Sequence, residues 1–147
     1  MSGVGLISME IEGLSEFQRD LLDVAQRRLP RETYKIMRKI GSKARTQVAK
    51  HARSKVKKDS GNYHKKFKRG RVFKDAEGQI VVRVINSAPQ AHLIEYGHRQ
   101  VTKDGQEIGF VPGKKVMEQG IGQFESSGTF DNMLSTWLDE LLDSGDL

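Results

Sequence analysis

Apolar residues recur every fourth position from Ile36 through Ile40, Ala44, Val48 and Ala52 to Val56, backed by Met37 and Ala49. That uninterrupted ladder predicts one amphipathic helix over Arg31 to Lys57, about 40 Å long at 1.5 Å per residue. Its small members, Ala44 and Ala52, allow close approach of a neighbouring element. A shorter stripe precedes it, with Leu14, Phe17, Leu21 and Leu22 joined by Val24 and Ala25, and with Glu16, Asp20 and Asp23 between them. Ser15 fits the cap of that first helix, followed by a favourably charged Glu16. Pro30 marks the boundary and suits the first turn of the long helix. At the other end of the chain Phe130, Leu134, Trp137, Leu138 and Leu141 form one face, with Asp139, Glu140 and Asp143 opposite. Thr129 is the expected cap. A short helix is expected before it at Val116, Met117 and Ile121, loosened by Gly120 and Gly122.

The middle of the chain changes period. Arg71–Lys74, the turn Asp75–Gly78 and Gln79–Ile85 read as a β-hairpin, broken after Ile85 by Asn86 to Pro89. A second turn at Lys103–Gln106 lies between short strands at Gln100–Thr102 and Glu107–Val111, closed by Pro112 and Gly113. Residues 63–74 are basic without clean periodicity, and His92–Tyr96 has no assignable pattern. Asp59 to Asn62 carries the turn chemistry that ends the long helix. The resulting class is α+β: long N-terminal helices packed on a small, mostly antiparallel sheet, with a C-terminal amphipathic helix. A chain of 147 residues is expected to form one domain. Its parts are a flexible Gly-rich arm (1–8), a helical part (9–58), hairpins and loops (59–113), and a helical part with an acidic end (114–147).

Charge changes this picture more than composition does. Residues 27–74 hold 19 of the 25 Lys and Arg but only Glu32 and Asp59, a net +17 in a chain whose total is +6. Residues 1–26 carry −4 and residues 118–147 carry −7. So many like charges repel one another unless something polyanionic meets them. Nucleic acid, through counterion release at its phosphates, is one such partner. The acidic terminal segments of a neighbouring copy are another. Tyr34, Tyr63, Phe67 and Phe73 are too few and too irregular for a base-stacking platform. Any DNA contact is therefore to the backbone, without sequence readout. The residues nominated for DNA or an acidic partner are Lys65, Lys66, Lys68, Arg69 and Arg71 in the basic loop, with Lys50, Arg53 and Lys57 on the helix.

Catalytic readings are poor. His92, Glu95 and His98 are spaced i, i+3 and i+6, not the i, i+4 histidine pair of a zinc-protease helix, and Gly97 argues against a continuous helix there. The competing reading, a Glu and a His satisfying buried backbone groups, fits better. With no cysteine, thiolate metal sites and disulfides are excluded. No catalytic residue, metal ligand or cofactor is assigned, and no enzyme activity is expected. No apolar run approaches the roughly 20 residues of a membrane span. The start, with Glu10 and Glu12 and no basic stretch, does not read as a signal peptide. A soluble product made in the cytoplasm, without membrane contact, is the expectation.

Four steps occur in a recognisable order: Ile11-Glu12-Gly13-Leu14 leading into a helix; Ser60-Gly61-Asn62 after the basic helix; Val84-Ile85-Asn86-Ser87-Ala88-Pro89-Gln90-Ala91 running into Ile94-Glu95-Tyr96-Gly97; and Val111-Pro112-Gly113 before a helix. In this order they resemble the tail-completion and head–tail joining proteins of long-tailed bacteriophages, the group that includes minor tail protein Z-like proteins. Tyr63 stands where that family usually has Leu, and Gln90 where it has an aromatic. The resemblance implies a non-enzymatic virion protein of the neck or tail. It further implies a homo-oligomeric ring, hexameric by expectation, around the channel through which viral DNA passes, against connector, terminator or tail-tube neighbours. It assigns structural roles to Ser60, Gly61, Asn62, Pro89, Glu95, Tyr96, Gly97, Pro112 and Gly113. Gly61 and Gly97 are expected where the backbone needs positive φ or close approach, and Glu95 where a neighbouring loop needs a cap or brace. A free, non-sequence-specific DNA-binding protein using residues 27–74 is the alternative.

Overall fold

The computed structural model describes residues 2–5, 15–57 and 61–147. In chain order the elements are β1 (Ser2–Gly5), α1 (Glu16–Arg28), α2 (Pro30–Lys55), α3 (Asn62–Lys65), β2 (Phe67–Arg69), β3 (Phe73–Lys74) and β4 (Ile80–Val81). They continue as β5 (Arg83–Asn86), α4 (Ala91–Tyr96), β6 (Gly97–Val101), β7 (Glu107–Pro112), α5 (Val116–Ser126) and α6 (Thr129–Ser144). The architecture is α+β, with α2 at its centre.

The apolar ladder of α2 does what its spacing predicts. Ile36, Ile40, Ala44, Val48 and Ala52 are all buried, while Arg31, Lys35, Arg38, Lys39, Lys43, Lys50 and Arg53 remain exposed. Pro30 occupies the first turn, where its missing N–H leaves no bond unmade. In α1 the Ser15 hydroxyl accepts from Gln18 N at 3.1 Å and Gln18 Oε1 accepts from Ser15 N at 3.1 Å, a reciprocal capping box. Helices α1, α5 and α6 all pack on α2. Helix α5 crosses it closely: a Cβ on Gly120 would lie 2.9 Å from Val48 Cα. Gly120 therefore sets a helix–helix approach inside one continuous helix, where the sequence reading expected it to loosen a short one.

The strands differ more from expectation. The turn Asp75–Gly78 forms as read, with Asp75 Oδ1 accepting from Glu77 N and Gln79 N, and β3 pairs with β4. The strand expected over Gln79–Ile85 is divided. Beyond Val82 the chain leaves this ribbon, and β5 becomes the centre of a separate antiparallel sheet of order β1-β5-β2. Its left neighbour lies in the Gly-rich start, where Ser2–Gly5 pairs with Asn86–Arg83. Its right neighbour β2 and the turn α3 lie in the stretch that showed no periodicity; three- and four-residue elements are too short to display one. The β6–β7 hairpin forms a third, two-stranded sheet, longer at both ends than expected, with Pro112 inside it. Gly128, with φ 75°, precedes α6 as its cap residue. Thr129 is instead the first helical residue, and its N–H donates to Ser127 Oγ at 3.3 Å. Ile11–Leu14, and Lys58, Asp59 and Ser60 of the turn step, lie outside the described residues.

Candidate functional site

Helix periodicity places Arg31, Tyr34, Arg38, Gly41 and Arg45 along one stripe of α2. Strand β2 and the segment that follows it, residues 67–72, run across that stripe. Arg45 Nε donates to Phe67 O at 3.2 Å, tying β2 to the helix. Next along the strand, the aliphatic stem of Arg69 lies over Gly41, where an added Cβ would come within 3.0 Å of Arg69 Cγ and 2.7 Å of Val82 Cγ2. The Arg69 guanidinium is held by Gly70 O, which accepts from Nη1 at 3.1 Å. The absence of a side chain at Gly41 thus lets Arg69 reach the helix and join Arg38.

The result is a continuous open groove around half-buried Tyr34. Arg31, Lys35 and Arg38 contribute from α2, Arg69 and Arg71 from the segment after β2, and Lys74 from β3. Arg27 extends it toward α1. Among the described residues, the only ion pair made by these cations is Lys35 to Glu32, at 3.3 Å and exposed on both sides. An exposed pair of that kind neutralises little. The groove therefore presents several guanidinium forks in one place, the geometry suited to phosphate or carboxylate oxygens. Asp23 lines the α1 end of the groove beside Arg27 and Lys74, and the remaining exposed acids of α1 and α6 sit elsewhere. Glu16, Asp20 and Asp23 on α1 and Asp139, Glu140 and Asp143 on α6 are exposed, and the two helices are joined by Gln18 Nε2 donating to Ser135 Oγ at 2.7 Å.

The nominated basic residues are thereby divided. Arg69 and Arg71 line the groove, and Lys68 is exposed on β2 beside it. Lys50 and Arg53 are exposed on the C-terminal half of α2, roughly 18 Å further along the axis than Arg38. Lys57 follows them, and Lys65 and Lys66 stand at the end of α3, which His64 anchors to that same end through Val56 O at 3.0 Å. Arg31, Lys35, Arg38 and Lys74 had not been nominated. The helical part of the signal, Arg31, Lys35 and Arg38 with Gly41, was present in the spacing; the approach of Arg69 across it was not.

The residues carrying the family-like steps meet at a different place. Glu95 is buried at the end of α4, and its carboxylate caps α5: Oε1 accepts from Met117 N at 2.8 Å and Oε2 from Glu118 N at 3.2 Å. Lys115, at the cap position, makes no side-chain cap of its own, so Glu95 supplies it from outside the helix. A Cβ on Gly97, which has φ 86°, would overlap Val111 O, and one on Gly113 would overlap Glu95 O. Lys114 N donates to Ile94 O at 2.7 Å. Glu95, Gly97, Pro112 and Gly113 thus form one tight junction at the base of the β6–β7 hairpin. Asn86 makes a second junction, its Nδ2 donating to Tyr63 O and its Oδ1 accepting from Ala88 N, both at 2.9 Å. Gly61 has φ 82° and precedes α3, with Asn62 opening it. Pro89 and Tyr96 are exposed. Burial, reinforced by the Glu95 charge, raises the Tyr63 phenol well above its ordinary pKa. His92 and His98 are exposed, and both Glu95 oxygens are committed to α5; among the described residues no group of His, Asp or Glu is arranged to hold a metal ion.

A family model described as bacteriophage HK97-gp10, putative tail-component, matches residues 16–97, more than half of the chain. The chain belongs to this family of phage tail components, which agrees with the resemblance drawn from its motifs. The matched span holds α1, α2, the groove and the Asn86 and Glu95 steps, and ends where the β6–β7 hairpin begins. It is a family of structural tail components rather than of enzymes. No curated protein and no solved structure matches the chain. Among the described residues no helix is long and apolar enough to cross a membrane.

Proposed function

We propose that this tail component works by assembly: copies form a ring, hexameric by analogy with the resemblance, that completes the tail end and supports head–tail joining around the passing DNA. The observation that carries this reading is the separation of charge. Cations converge at the α2–β2 groove with a single exposed counter-ion pair, while exposed acids gather on α1 and α6. A surface of that kind meets phosphates or the acids of an adjacent subunit, and a ring around DNA provides both. Lys50, Arg53, Lys57 and Lys65, at the far end of α2, are assigned to neighbouring connector, terminator or tail-tube proteins.

The groove also supports a second reading, a free DNA-binding protein acting through backbone contacts. The two differ in what the isolated chain does. Submicromolar duplex binding by the monomer, weakening steeply with salt, favours the free binder. Weak binding by the monomer, with particles that lose completion when Lys65, Lys66, Lys68 and Arg69 are reversed to Glu, favours the ring. Unchanged assembly and infectivity of that variant rule the loop out.

A further inference from the structure

The β6–β7 hairpin carries the clearest unmet apolar surface of the described chain. Tyr96 at its base is 66% exposed, Ile108 65%, Phe110 59% and Val101 58%. The register places Phe110 opposite Arg99 and Glu107 opposite Val101, so strand alternation collects Val101 and Phe110 on one face with Arg99 and Glu107. Arg99 and Glu107 face each other across it at 3.9 Å. A two-stranded ribbon with an uncovered apolar face is marginal in water by itself. Val101, Ile108 and Phe110 on the hairpin expose roughly 350 Å², a little under half of the ~800 Å² each partner gives to a stable interface.

A slot on the same chain has the complementary form. Between α2 and α6, Ile36, Met133 and Trp137 floor a shallow groove of about 340 Å³, with Lys39 on one rim and Glu140 on the other. Apolar floor and opposite-sign rims match the apolar face and the Arg99 and Glu107 of the hairpin. One copy does not fill its own slot. Lys114, just past the hairpin, donates to Lys55 O at 3.2 Å and so fixes the hairpin base near the C-terminal end of α2. Ile36 lies 19 positions earlier, roughly 28 Å along the helix axis.

We infer that the β6–β7 hairpin of one copy docks in the α2–α6 slot of the next, Phe110 on Trp137 and Met133, with Glu107 toward Lys39 and Arg99 toward Glu140. Knob and slot at opposite ends of α2 let the contact run head-to-tail, the heterologous kind, which closes into a ring where the rotation between copies closes. The inference rests on the reading of the chain as a self-assembling tail component and names the contact that reading lacks.

The chain has no cysteine, so engineered pairs report cleanly. In full-length protein, Ile108→Cys combined with Thr136→Cys should give, under mild oxidation, a disulfide-linked ladder of dimers, trimers and larger species. Either substitution alone should remain unlinked. Adding Phe110→Asp, with an unchanged melting temperature, should reduce the linked fraction at least tenfold. Efficient dimers from Ile108→Cys alone would overturn the head-to-tail contact in favour of a symmetric one. A wild-type chain that sediments as a closed oligomer, while the double variant stays unlinked, overturns this contact and leaves the ring standing. A chain monomeric at every concentration, with no ladder, overturns both.

Discussion

The Glu95 junction and the Tyr34 groove treat charge in opposite ways. At the junction a carboxylate is buried and spends both oxygens on backbone N–H groups that α5 otherwise leaves unpaired. In the groove, cations from three segments stand at the surface with one weak internal counter-ion pair. The first holds the chain together; the second is unfinished without something from outside. The steps that make the chain recognisable largely belong to the first kind. Family resemblance here reports how backbone segments are joined, and the surface chemistry has to be read separately.

Breaking the junction should cost most. Glu95→Ala leaves two N–H groups of α5 uncapped in a buried place, and we expect a loss of about 3 kcal/mol in urea or thermal unfolding, with Glu95→Gln losing less. Next is Gly120→Leu, which forces α5 away from Val48 and should cost about 2 kcal/mol by the same measurement. A smaller effect appears only in alkali. The folded state keeps the Tyr63 proton where the unfolded chain, titrating near 10.0, has released it. That contribution is complete below about pH 10 and is lost as pH rises above it. Tyr63→Phe should therefore show a flatter decline of stability above pH 10 than the wild type; equal slopes would contradict the assignment. The groove should matter least to folding. Arg31→Glu with Arg38→Glu, both exposed, should shift stability by no more than about 0.5 kcal/mol, yet weaken salt-dependent retention on a polyanion column. If the same pair unfolds the protein, the contrast between junction and groove fails.

Helices α1, α2, α5 and α6 were legible because each carries an apolar stripe at helical spacing, whereas α3 and α4 are too short to show one. The ladder from Ile36 to Val56, the Ser15 cap, Pro30 and the Phe130–Leu141 stripe are local signals that tertiary packing had only to accept. The strands were legible where a tight turn joins them, at Asp75–Gly78 and at Lys103–Gln106. Asp75 and Gly78 announce β3–β4, but nothing in residues 79–85 says that Val82 is where the chain changes partners. That division depends on β1 and β2, whose pairing with β5 is entirely non-local. The same limit applies to the groove. Residues 31–38 and 69–74 are brought together by Gly41 and Val82, and a side chain's absence at Gly41 carries no signal until its neighbour is known. Glu95 was legible as a cap or brace, though α5 as the element it caps was not, because Lys115 gives no sign that the helix lacks a cap of its own.

Cryo-electron microscopy of intact particles tests the central claim most directly. The account predicts a closed ring of copies of this chain at the head-proximal end of the tail, with the groove formed by Arg38 and Arg69 facing either the DNA path or the acidic α1–α6 face of an adjacent subunit. Mature, infectious particles lacking this chain, or holding it as isolated copies with that groove open to solvent, would contradict it.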